Sequence, residues 1–129
     1  MNCEVTFVVG PIVVPPCRTP ARDAGALVEF HGIVRRMEGA VELSALHYEA
    51  YEAMARREFS RIFAELAARH PVHDVMVIHR IGRVPAGEAS LYVRVAAKHR
   101  GPALSFCGTL IDRMKEDVPI WKLPEPAGA

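Results

Sequence analysis

Between Glu52 and His70 the chain sets Met54, Phe59, Ile62, Phe63, Leu66 and Ala67 at the three-and-four spacing of one helical face, with Arg56, Arg57, Glu58, Arg61 and Glu65 on the other. A helix with a single apolar side needs a second layer to cover that side. Pro71 stops it, because proline disfavours helical geometry at the residue before it. The segments around it are short and alternating. The layer that covers the helix is therefore expected to be a sheet, and the fold class α+β.

Glu4 to Val9 reads as a short strand, and Pro11 to Asp23 as a proline-rich connection whose conformation the sequence leaves open. In GALVEFHGIVR, from Gly25 to Arg35, Leu27, Glu29, His31 and Ile33 alternate against Ala26, Val28, Phe30 and Val34. Gly32 weakens that strand or allows a bulge. A turn around Glu38 and Gly39 leads to a strand from Val41 to Glu49, which predicts a hairpin with the strand before it. Val75 to Ile81 and Ser90 to Ala97 form a second predicted hairpin, joined through Gly82, Pro85 and Gly87. A second helix starts near Pro102, carries Leu104, Cys107, Leu110, Ile111 and Met114 inward and ends before Pro119. The tail, PIWKLPEPAGA, reads as irregular, with Ile120 and Trp121 packing back on the domain.

At 129 residues, half of them hydrophobic and 24% charged, the chain has the size of one domain spanning residues 1–129, with no linker. A domain of this length buries roughly two-thirds of its unfolded surface and needs no disulfide or structural metal. Cys3, Cys17 and Cys107 are scattered and odd in number, which fits a reducing compartment and no metal site. The apolar start lacks a basic leader and is broken by Gly10, Pro11, Pro15 and Pro16, so it reads as a strand and turn, with no signal peptide or membrane span. A formal charge of +1 gives no general pull toward nucleic acid or an anionic membrane. Any anion site must be local.

Three basic groups qualify as candidates. Arg35 and Arg36 end a strand, where guanidinium forks suit phosphate or carboxylate, or serve as solvated charges that guard a sheet edge. Lys98, His99 and Arg100 precede a helix N-terminus, whose free amides favour an anion; the same stretch is also an ordinary loop. Lys115 and Lys122 bracket Pro119, which breaks any shared helix, so they converge across a turn if they meet at all. Taken singly, each lysine reads as a solvated charge. His70 and His73 straddle Pro71 and make a poor metal pair, while His31, His47 and His79 fall in strand patterns and read as structural. No dinucleotide, Walker or serine-elbow motif occurs, so no metal and no cofactor is expected.

GALVEFHGIVR, LHYEAYEAMA from Leu46 to Ala55, VIHRIGRVPAGE from Val77 to Glu88, KHR from Lys98 to Arg100 and LIDRMKEDVPIWK from Leu110 to Lys122 follow one another in an order and spacing that resemble the large subunit of molybdopterin synthase. The resemblance implies a cytoplasmic sulfurtransferase of α/β hammerhead type. It implies a homodimer that binds two copies of a ubiquitin-like sulfur-carrier small subunit, making a heterotetramer. The carrier's C-terminal thiocarboxylate would deliver sulfur to cyclic pyranopterin monophosphate, and two transfers would make the molybdopterin dithiolene. Carried over residue by residue, it implies that Ile33, Val34, Arg35, His99 and Arg100 contact the precursor and that Lys115 and Lys122 are catalytic. The nucleophile would belong to the carrier, so no cysteine here is needed for catalysis. Leu123 and Pro124 follow PIWK where the family often has a basic residue and a glutamate, and Leu104 and Ser105 replace a common phenylalanine and acidic residue. The rival reading is a non-catalytic module that binds the carrier alone.

Overall fold

The computed structural model describes residues 1–16 and 23–128, so Cys17 and the second half of the proline-rich connection lie outside the described residues. The described residues form β1 (Asn2–Val9), β2 (Ala26–Ile33), β3 (Met37–Glu38), β4 (Val41–Ala50), α1 (Glu52–Ala67), β5 (Asp74–Pro85), β6 (Ala89–Ala97), α2 (Arg100–Asp117) and β7 (Ile120–Pro126). The sheet runs β2-β6-β5-β4-β3, with β1 beside β5 and β7 beside β4. Its pairings are antiparallel except for β1 on β5. The class is α+β, with two helices on a mixed sheet.

β6 explains the order. Its run ASLYVRVAA is buried on both faces, so it needs neighbours on both edges and occupies the interior of the sheet. β5 pairs with it on one side, as the predicted hairpin requires. β2 takes the other, setting Val28 opposite Val95 and Phe30 opposite Val93. The expected hairpin between Gly25–Arg35 and Val41–Glu49 therefore does not form: β4 pairs with β5 and β7 instead. Adjacency in sequence lost to the demand of a strand buried on both faces. The turn around Gly39 still forms, but it joins β4 to the two-residue β3.

The tail is also corrected. Residues expected to be irregular form β7, which lies antiparallel on β4 from Ile120 opposite Ala50 to Pro126 opposite Leu43. Pro124 and Pro126 mask the strand in the sequence, yet proline is tolerated on an edge strand, where one side needs no ladder donors. β5 likewise runs past its expected end at Ile81, because Gly82, with φ of +88°, lets the strand continue to Pro85.

Both helices pack on one face of the sheet. Phe59, Ile62, Phe63 and Leu66 of α1 and Phe106, Cys107 and Leu110 of α2 meet Val75, Val77, Val93 and Val95 in the main core. Burying one such side chain contributes about 1.5–3 kcal/mol. Met54 and Leu104, both expected inward, are 48% and 56% exposed. In each case the neighbouring alanine, Ala55 or Ala103, is fully buried and takes the inward position of the stripe. A second, smaller core of Val34, Leu43, Leu46 and Val84 lies under the β3–β4 region.

Candidate functional site

A cleft of about 810 Å³ opens where the end of β2, the strands β3, β4 and β7, and the end of α2 come together. Three local breaks in regular structure build it. The first is at Gly32, where the β2–β6 register shifts so that Gly32 faces Leu91 and Ile33 faces Ala89. A Cβ on Gly32 would stand 3.2 Å from that of Leu91, so a side chain there would press against β6. After this bulge Val34 turns into the smaller core, and its N–H and C=O bond Glu88 O and Gly87 N at 3.0 and 2.8 Å. Ile33 and Arg35 flank it and line the cleft.

The second break is at Pro119. α2 ends at Asp117, Val118 N–H caps Met114 O at 3.1 Å, and the carbonyl of Pro119 accepts from Tyr51 N–H at 3.2 Å. The chain turns there into β7, which brings Lys122 opposite Tyr48. Lys115, in the last turn of α2, and Lys122 thus line the same cleft from two different elements. The carbonyl end of a helix carries partial negative charge, which favours a cation at Lys115. β7 is held to the sheet by Glu125, whose carboxylate accepts from Arg83 at 2.9 Å and meets His47 Nε2 at 2.9 Å. Arg83 and then His47 pull the Glu125 pKa down to about 2.

The third break is the tight turn after β3. It presents Glu38, whose carboxylate lies 3.2 Å from Lys122 Nζ. Arg35 and Lys115 have no ion-pair partner among the described residues. The cleft therefore holds three cations, from β2's end, α2 and β7, against one carboxylate. Its apolar lining includes Ile111, Met114, Ile120 and Trp121, with Trp121 edge-on to Tyr51 at 5.1 Å between ring centroids. An anion with a flat or apolar body suits such a lining.

His79 of β5 also lines the cleft, although the sequence reads it as structural. Only 4% exposed, it packs edge-on to Tyr48 at 5.0 Å and places Nδ1 2.8 Å from Arg80 O. Burial pushes its pKa below the usual imidazole value, against the smaller opposing effect of that carbonyl. His31 and Tyr48 line the cleft as well, and nothing in their strand patterns marks them.

His99 and Arg100 are not in the cleft. They sit exposed at the start of α2, where His99 is the N-cap residue and makes no side-chain cap bond. Lys115 follows His99 by sixteen positions along the helix, roughly 24 Å of axial rise. The single pocket expected to join all the basic groups is thus not formed within one chain. Arg36 turns away too and pairs with exposed Glu42 at 3.4 Å.

Residues 12–117 match the family model described as MoaE protein. The chain is 46% identical over 99 residues to the molybdopterin synthase catalytic subunit of Oryza sativa subsp. indica, which covers 77% of the chain and 51% of that relative. It thus spans about half of that relative's length. The crystal structure of molybdopterin synthase from Staphylococcus aureus superposes with a TM-score of 0.87 at 32% identity, covering 96% of this chain and 92% of that one. A complex of subunits 1 and 2 of the molybdopterin-converting factor from Helicobacter pylori superposes with a TM-score of 0.67 at 26% identity, covering 84% and 75%. The α+β fold, the cationic cleft and these likenesses agree, and the chain belongs to the MoaE family.

Proposed function

We propose that this protein is the catalytic subunit of a molybdopterin synthase, a cytoplasmic sulfurtransferase that holds cyclic pyranopterin monophosphate in its cleft while a ubiquitin-like small subunit delivers sulfur from its C-terminal thiocarboxylate. Two such transfers complete the dithiolene. The observation that carries the reading is the convergence of Arg35, Lys115 and Lys122 from three elements on one cleft with apolar walls. Both reactants are anions, and fixed cations offset the cost of bringing them together.

In this reading Arg35 holds the precursor's phosphate through a charge-assisted fork. Lys115 stabilises the charge that develops as sulfur attacks or moves a proton there, and Lys122 supplies a second cation once it exchanges Glu38 for the substrate. Ile33 contributes a wall. Val34 has its N–H already bonded to Glu88 O and its carbonyl accepting from Gly87 N–H, and serves to fix its neighbours. His99 and Arg100, too far from Lys115 in their own chain, contact the precursor in the cleft of a second copy. The two-subunit Helicobacter pylori complex supports a small-subunit partner, and a homodimer carrying two such partners is the assembly proposed.

The test is sulfur transfer from purified carrier thiocarboxylate to the precursor. Wild type should form the dithiolene, and Lys115→Ala and Lys122→Ala should each be impaired while still binding the carrier. Carrier binding without turnover in wild type would favour the non-catalytic module. Unchanged rates in both variants would remove the lysines from the chemistry.

A further inference from the structure

A cleft furnished with arginine and lysine offers many donors and few acceptors, because both side chains can only donate. Glu38 is occupied by Lys122 at 3.2 Å, and the Ser90 hydroxyl donates to Gly32 O at 3.4 Å. His79 differs from both. A carbonyl oxygen can only accept, so the 2.8 Å contact between Nδ1 and Arg80 O puts the ring proton on Nδ1. The neutral ring then carries its lone pair on Nε2, which has no donor among the described residues. His79 lines the cleft, so this acceptor, left unmatched by the protein, is open to a donor from a ligand or water there. Tyr48 edge-on at 5.0 Å and Phe7 at 6.5 Å pack against the ring.

We infer that His79 is a specificity residue of the cleft, its Nε2 accepting a hydrogen bond from an N–H or O–H of the substrate's heterocycle while the cations hold the anionic end. The inference rests on the proposed function and deepens it. A reduced pterin carries ring N–H groups, and a cleft of cations alone would bind any small phosphate equally well. One fixed acceptor makes the difference between a charge trap and a site that reads the ring. The imidazole does so without adding a fourth positive charge, since burial keeps it neutral.

The experiment compares wild type, His79→Phe and His79→Gln in sulfur transfer, and follows the ring nitrogens of wild type by 15N NMR at neutral pH. His79→Phe keeps the ring packing and loses the acceptor. It should raise KM for the precursor about tenfold, the loss expected for one buried hydrogen bond, with kcat within about threefold and carrier affinity unchanged. His79→Gln, whose side-chain oxygen stands near the place of Nε2, should recover most of that loss. In wild type the free protein should show the Nδ1–H tautomer, and saturating precursor should move the Nε2 resonance alone. A His79→Phe enzyme with wild-type KM, an Nε2 that already carries a proton, or an Nε2 signal indifferent to precursor would each overturn the inference. If neither variant folds, the wild-type titration decides. Wild type that neither turns over nor binds precursor refutes the proposed function itself, whereas active wild type with an insensitive His79→Phe refutes this inference alone.

Discussion

The first turn of α2 carries His99 and Arg100, the last turn carries Lys115, and roughly 24 Å of helix lies between them. At the first end the side chains face solvent beside free helical amides. At the last they meet β7 and the end of β2 around a cleft. By general rule the first end is the better anion site, since helix N-termini attract negative charge and C-termini repel it. Within one chain, however, the cleft lies at the other. Basic residues become a site where separate elements bring them to one cavity, and the helix dipole is a small term beside three side-chain cations.

The comparison can be broken most directly by mixing variants. Lys115→Ala and Arg100→Ala should each lose turnover, Lys115→Ala by about 100-fold, the size expected when one preorganised charge is removed from a developing anion. If Arg100 serves a second copy's cleft, equal mixtures of the two inactive proteins should recover part of the activity, because a mixed dimer contains one cleft with both groups. No recovery would mean that each chain works with its own residues. At the exposed end, Gly25→Ala tests structure without chemistry: a Cβ there would lie 2.4 Å from Lys98 O. The β2–β6 edge must shift, at about 1–3 kcal/mol of stability, read as a lower Tm.

Arg35→Ala against Arg36→Ala sharpens the contrast on a smaller scale. The first should weaken precursor binding about tenfold by calorimetry, as expected for one charge-assisted contact, and the second should leave it unchanged, since Arg36 pairs with Glu42 outside the cleft. Glu38→Gln frees Lys122 and should tighten precursor binding by about two- to threefold, the modest yield of an exposed ion pair. The smallest effect concerns β7. Glu125 has a pKa lowered from 4.5 to about 2, so its contribution to stability is complete above 4.5 and disappears as pH falls toward 2. Melting temperature measured down that range should decline less steeply in Glu125→Gln than in wild type.

Helices and strands were legible wherever a pattern is local. The stripe of α1, the alternation of β2 and the β5–β6 hairpin all follow from spacing that one segment carries by itself. Strand partnership is not local: β2 chose β6 over β4 because of what β6 buries, and nothing in residues 25 to 49 encodes that. Pro119 stopped α2 as expected, but Pro124 and Pro126 hid β7, since a residue type that breaks a helix is harmless at a sheet edge. For the cleft, residue types alone left Arg35, Lys115 and Lys122 as ordinary charges and the family resemblance joined them, while the separation of His99 and Arg100 from them required only the length of α2, once its ends were known. His79 escaped because a histidine in an apolar strand looks like any other buried side chain until a cavity opens beside it.

The placement of Lys115 over the carbonyl end of α2 has a consequence for how the cleft behaves in solution. Backbone amides at a helix start are rigid and cannot be titrated or moved. The cations here stand on long, flexible stems, and Lys115 has the opposing dipole of α2 beneath it. Their hold on an anion is therefore sensitive to ionic strength, which screens exposed charges over about 8 Å at physiological salt. Such a grip is easily loosened, and the proposed reaction, which takes up one charged molecule, admits the tail of another and releases both products, is served by a soft electrostatic contact that the surrounding electrolyte can weaken.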